Sequence, residues 1–128
     1  MKTITLIFGA AYGMLSVILG AFGAHALKKI LSVERLESFE TGVRYQMYAA
    51  FFLLIVSYIL KFDTSSQKWI SIFMIAGTIL FSFSIYGLSL QDYLGANLKF
   101  LGPITPLGGL LMILSWLMLI FYFAKNRI

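Results

Sequence analysis

The 128-residue sequence predicts an all-α integral membrane protein, with four transmembrane helices in a compact antiparallel bundle and an amphipathic connector between helices 1 and 2. Three observations carry that reading. Four long runs hold no formally charged residue: Thr3 to Leu27, Tyr45 to Leu60, Trp69 to Gln91 and Phe100 to Ala124. A bilayer's hydrocarbon core takes about 20 apolar residues per spanning helix, so each run reads as a span. The composition, 60% hydrophobic and 12% charged with a mean hydropathy of +0.91, leaves a soluble fold nowhere to hide its side chains. The connectors are short enough to place residues 1–128 in one domain, with spans near 3–26, 44–61, 69–91 and 104–124.

The first span opens after Lys2 and is too long for the apolar core of a signal peptide, which is usually about 7–15 residues, so it is expected to be retained. Gly9, Gly13, Ser16, Gly20, Gly23 and Ala24 draw a small-residue stripe down one of its faces. In lipid, where no hydrophobic drive brings helices together, such a stripe supplies close van der Waals packing, either within the bundle or at a seam between copies.

The first connector, Lys28 to Arg44, carries most of the charge, with Leu36, Phe39, Val43 and Met47 spaced as on one helix face. It is expected to form an interfacial helix running into span two, with Glu40 and Arg44 as an i,i+4 ion pair. Span two, rich in Phe51, Phe52, Leu53, Leu54 and Ile55, is expected to face lipid. Span three offers Gly77, Ser84 and Gly87 for packing, and span four offers Gly108, Gly109 and Ser115. Before span four, Thr105 is placed to cap the helix and Pro106 to occupy its first position.

The net charge of +5 does not point to nucleic acid, because the basic residues sit at span ends, where they anchor to headgroups. With no cysteine there is neither a disulfide nor a thiolate metal site, and a single histidine makes a poor metal centre. No metal and no cofactor is expected. Lys2, Lys61, Lys68, Lys125 and Arg127 fall on one side, and Lys28, Lys29, Arg35, Arg44 and Lys99 on the other, so Lys and Arg balance. The free amine tips the expectation toward both termini being cytoplasmic.

Two polar features are candidates for function. Tyr12, Ser57, Thr78, Ser115 and Trp116 lie at similar depth and are expected to form a buried hydrogen-bonded layer, read as structural satisfaction or as a narrow polar path. Parity puts the first and third connectors on one side, which gathers His25, Glu40, Thr41, Arg44, Tyr45, Gln46 and Thr105, with Gln91, Asp92 and Asn97, toward one compartment. That patch is a candidate for a ligand or partner. No catalytic pattern at credible spacing appears, so no enzyme is expected.

The runs Gly20-Ala21-Phe22-Gly23-Ala24-His25-Ala26-Leu27, Thr41-Gly42-Val43-Arg44-Tyr45-Gln46-Met47-Tyr48, Leu80-Phe81-Ser82-Phe83-Ser84-Ile85-Tyr86 and Ile104-Thr105-Pro106-Leu107-Gly108-Gly109, followed by Ser115-Trp116, resemble the DUF423 family of small membrane proteins, itself similar to the transmembrane protein 256 group. The resemblance covers nearly the whole chain in order. It implies a four-span protein of the bacterial plasma membrane and brings no catalytic residue. Ala49 departs from the family pattern, where relatives often carry a histidine, which weakens any mechanism built on a histidine pair. Phe83 replaces a glycine between two serines, which suggests that the serine turn is a packing device.

The functional expectation is a noncatalytic structural or interaction component supporting the membrane or envelope, in contact with lipids and with a second copy or another membrane protein. The alternative is a small carrier or lipid- or anion-binding protein using His25, Glu40 and Arg44.

Overall fold

A computed structural model describes residues 1–126. Arg127, counted above among the charges of one side, lies outside the described residues. Five α-helices follow in order: α1 Lys2–Ala24, α2 Val33–Ile59, α3 Ser65–Thr78, α4 Ser84–Leu94 and α5 Ile104–Asn126. A π-helical segment, Ile79–Phe83, joins α3 to α4 without a break, so the chain makes four spans: Lys2–Lys29, Val33–Ile59, Ser65–Leu94 and Lys99–Asn126. Each span has 27 to 30 residues. At 1.5 Å per residue that is about 40–45 Å, enough to carry the helix ends through the headgroup layers.

The amphipathic connector is helical from Val33 and runs directly into span two, as expected. Ser32 caps α2 through its Oγ, which accepts from the Arg35 N–H at 3.2 Å, and one helix then runs unbroken to Ile59. The physical reason lies in the apolar stripe. Leu36 and Phe39 pack beside Gly23 and Val43 beside Gly20, so this face covers the glycine stripe of α1. Phe39 is fully buried and also meets the Tyr86 ring at 4.9 Å.

Span two is not the lipid-facing helix. It is 44% buried and span three 50%, against 22% for spans one and four, so α2 and α3–α4 form the centre of the bundle. Phe51 and Ile55 do face outward, but Phe52, Leu53 and Val56 fill the core with Tyr12, Ile70 and Met74. α1 packs chiefly on α2 and α3 chiefly on α5, while α2 against α4 joins these two pairs.

Glycine decides two crossings. A Cβ on Gly77 would stand 2.8 Å from the Gly108 carbonyl oxygen and one on Gly108 would stand 2.7 Å from that of Gly77, so α3 and α5 touch backbone to backbone. A Cβ on Gly42 would meet the Tyr86 ring at 2.7 Å and the Ser82 carbonyl oxygen at 3.3 Å, which brings α2 against α4 and the π segment.

The turn after α2 is compact. Phe62 adopts a left-handed φ of 58°, uncommon for an aromatic residue, and is buried. Gln67 holds it there: its Oε1 accepts from the Phe62 N–H at 2.7 Å and its Nε2 donates to Asp63 Oδ1 at 3.0 Å. Gly95, also left-handed at φ 66°, ends α4. α5 starts at Ile104, so Thr105 lies inside the first turn and is not its cap, and Pro106 is the third helical residue, where an N–H has no intrahelical partner anyway.

Candidate functional site

Polar side chains inside the bundle bind mostly backbone oxygen. Tyr12 Oη donates to the Ile75 carbonyl at 2.7 Å, Ser115 Oγ to Ile70 at 2.6 Å, and Ser82 Oγ to Gly42 at 2.8 Å, each bond tying two helices together. Thr5 Oγ1 donates to Ser71 Oγ at 3.0 Å. Ser57 and Thr78 bind carbonyls of their own helices, those of Leu54 and Met74. In a medium without water an unpaired hydroxyl is costly, and these bonds remove that cost while adding cross-links.

The layer expected from depth alone therefore does not form as drawn. Tyr12, Ser57, Thr78 and Ser115 are buried, but they bind backbone and not one another. Trp116 is 50% exposed on the outer face of α5, edge-on to Phe52 with ring centroids 4.6 Å apart. Depth along a helix is readable in a sequence, whereas the side of the helix that finds a neighbour depends on the packing.

Gln46 leaves the expected surface patch and becomes the centre of the interior. Fully buried, it donates through Nε2 to the Tyr12 carbonyl at 3.0 Å and accepts through Oε1 from Tyr86 Oη at 2.7 Å. One side chain thus links α1, α2 and α4. Thr105 pairs with Ser84, whose Oγ also donates to the Phe81 carbonyl at 2.9 Å, fastening the start of α5 to the end of the π segment.

The rest of the patch stays dispersed. His25 ends α1 in an exposed position. The Glu40–Arg44 pair is not made; exposed Arg44 donates to Thr41 Oγ1 at 3.1 Å, and Thr41 in turn donates to the Glu37 carbonyl. Tyr45 is exposed and meets the Tyr48 and Phe81 rings. No hydrogen bond or ion pair joins His25, Glu40 and Arg44 among the described residues. Among the described residues the ion pair that forms is Arg35 Nη2 to Asp92 Oδ2 at 3.1 Å, across 57 residues of sequence, a pairing that spacing along the chain does not disclose. No cluster of three or more His, Cys, Asp or Glu side chains stands together among the described residues.

Ala24, at the end of the small-residue stripe, is exposed, while Gly9, Ser16 and Gly23 are buried. Gly9 is the tightest point: a Cβ there would reach the Leu54 side chain at 3.0 Å and the Ala50 carbonyl at 3.2 Å. A Cβ on Gly13 or Gly20 would find ordinary contact, 3.7 Å from the Ala50 or Val43 side chain, and one on Gly109 would stand 3.4 Å from the Phe81 ring.

Residues 19–109 match the family model described as "Protein of unknown function (DUF423)". The chain is 41% identical over 115 residues to a UPF0382 membrane protein of Staphylococcus haemolyticus, with 90% of each chain covered. It is 38% identical over 120 residues to the UPF0382 membrane protein YwdK of Bacillus subtilis, covering 90% of this chain and 91% of that one. A UPF0382 membrane protein of Schizosaccharomyces pombe is 38% identical over 108 residues, covering 84% and 90%. No solved structure matches. With a family model over most of its length and relatives of this identity over nine-tenths of it, the chain is a membrane protein of the DUF423 family.

Proposed function

We propose that the protein is a noncatalytic component of the cell membrane, a rigid bundle that supports the envelope by holding a second copy or another membrane protein. One observation carries this reading: the interior, where a path or a reaction centre would lie, is cross-linked by its own polar groups, with Tyr12, Gln46, Ser82, Tyr86 and Ser115 bonded between helices. The outer face offers the complementary feature. Tyr45, Phe81, Gly109, Met112, Ile113 and Trp116 line an apolar groove between α2 and α5, open toward the bilayer. In this reading both termini face the cytoplasm. The carrier reading built on His25, Glu40 and Arg44 gains nothing from the geometry, which does not bring them together.

The test is site-specific photocrosslinking in living cells. A benzophenone side chain at Ile113 is expected to capture a single defined polypeptide, a second copy included, whereas the same probe at Ile7 on the outer face of α1 is expected to capture lipid. Capture of lipid alone from both positions would overturn the interaction reading. His25→Gln is expected to leave the captured species unchanged.

A further inference from the structure

The Arg35–Asp92 end of the bundle holds a cavity of about 350 Å³ between the first turns of α2, the second half of α4 and the start of α5. Arg35, Ser38, Leu88, Ser89, Gly102 and Thr105 are among its walls. Its volume is at the small end of ligand sites, which run to about 300–1,000 Å³, and suits a headgroup better than a cofactor.

Ser89 is the telling residue. It is 1% exposed, and its Oγ has no hydrogen-bond partner. A buried helical serine ordinarily bonds back to a carbonyl one turn earlier, as Ser57 and Ser84 do here to residues three positions before them. An unspent hydroxyl in such a wall calls for an explanation. Beside it, Arg35 uses one N–H for the Leu88 carbonyl at 3.1 Å and one for Asp92. A guanidinium has five N–H donors, so three remain. The Asp92 side chain is 73% exposed and that of Arg35 38%, so water shares the pair and the guanidinium is open to a second anion. The positive end of the α5 helix adds to the local field.

We infer that this cavity is a binding site for a phosphate group, gripped by the Arg35 guanidinium and the Ser89 hydroxyl at the edge of the membrane. The inference is independent of the interaction reading above. Arginine and phosphate match in a two-point geometry, and a phosphate diester keeps enough acceptor oxygens for a serine hydroxyl as well. The same chemistry belongs to an anionic lipid headgroup and to free phosphate.

Native mass spectrometry of the full chain, released from nanodiscs of equal phosphatidylglycerol and phosphatidylcholine, tests this, with a parallel titration by inorganic phosphate. The wild-type protein is expected to retain one phosphatidylglycerol in preference to phosphatidylcholine; retention of inorganic phosphate alone would keep the site and assign it to a soluble ligand. Arg35→Gln is expected to lower retention at least about tenfold, the effect of losing a charged hydrogen-bond donor. Ser89→Ala is expected to weaken it by a smaller factor. Because Arg35→Gln also removes a helix-to-helix bond, Asp92→Asn supplies the independent arm: it frees the guanidinium of its competitor and is expected to raise retention, whereas a merely structural ion pair would lose stability and gain nothing. Equal retention of both lipids with no phosphate bound, or unchanged retention in Arg35→Gln, would overturn the inference.

Discussion

Gly77 and Gly108 show how little room a single residue has in this bundle. Each faces the other's carbonyl oxygen at a distance no real Cβ would tolerate, and backbone cannot swing aside as a side chain does. Gly77→Ala or Gly108→Ala is expected to cost about 1–3 kcal/mol, the usual range for overpacking, read as earlier thermal unfolding in detergent. Gly13→Ala and Gly20→Ala, where a Cβ finds 3.7 Å, are expected to stay within about 1 kcal/mol of the parent. If all four behaved alike, the glycines would be acting through helix propensity and not through contact. Gln46 permits a second experiment. Gln46→Leu leaves the Tyr86 hydroxyl without its acceptor, and in a double-mutant cycle with Tyr86→Phe the coupling is expected between about 0.6 kcal/mol, the average for hydrogen bonds inside membranes, and about 1.7 kcal/mol, their maximum. A coupling near zero would mean that the pair is decoration.

At the scale of the element, the third span was legible as a span and illegible as a shape. Ile79-Leu80-Phe81-Ser82-Phe83 has the composition of any apolar helix, and five residues are too few for a widened turn to leave a mark on periodicity. The cause is tertiary: α3 is held against α5 at Gly77 and Gly108, α2 comes in at Gly42, and the intervening turn widens so that Ser82 reaches the Gly42 carbonyl and Ser84 reaches Thr105. Removing Phe83 is expected to restore α-helical phase but rotate α4 away from Gln46 and Thr105, seen as a large loss of stability; a near-native deletion variant would show the segment to be slack. Charge gaps, by contrast, counted the four spans, although the second helix begins at Val33, well before its gap, and the small-residue stripe of α1 lies on its packing face from Gly9 to Gly23 but not at Ala24. Trp116 was misplaced because its orientation is not a one-dimensional pattern. With Trp69→Phe as background, its fluorescence is expected to be quenched strongly by lipids brominated on their acyl chains, and weak quenching would put it back inside.

The whole molecule has a parity that sequence alone made available, since four spans force the first and third connectors to one side. Arg35 bonded to Asp92 and Leu88 agrees with that arrangement, although only the folded bundle reveals which of the charged residues meet. The absence of native cysteine makes a clean experiment possible. Single cysteines replacing Lys28 and Lys99 are expected to react with an impermeant maleimide from the same side of the membrane, and one replacing Lys61 from the other. The proposed orientation, with cytoplasmic termini, requires Lys28→Cys and Lys99→Cys to be the pair labelled on intact cells, and labelling of Lys61→Cys instead would reverse it.

The division of the bundle into an α1–α2 pair and an α3–α5 pair also bears on how the chain is made. Each pair consists of neighbouring spans, so the first 59 residues can leave the translocon, dock along their glycine seam and wait, while the second pair is still being synthesised. Bonds that bridge the halves, among them Tyr12 to Ile75, Ser82 to Gly42 and Tyr86 to Gln46, cannot form until the second pair has been made. Until they do, the Gln46 Nε2 already has the Tyr12 carbonyl but its Oε1 lacks the Tyr86 hydroxyl, an unpaired acceptor among acyl chains that marks an unfinished protein. A chain arrested after α2 would therefore be expected to be short-lived in the cell although its two helices are fully paired.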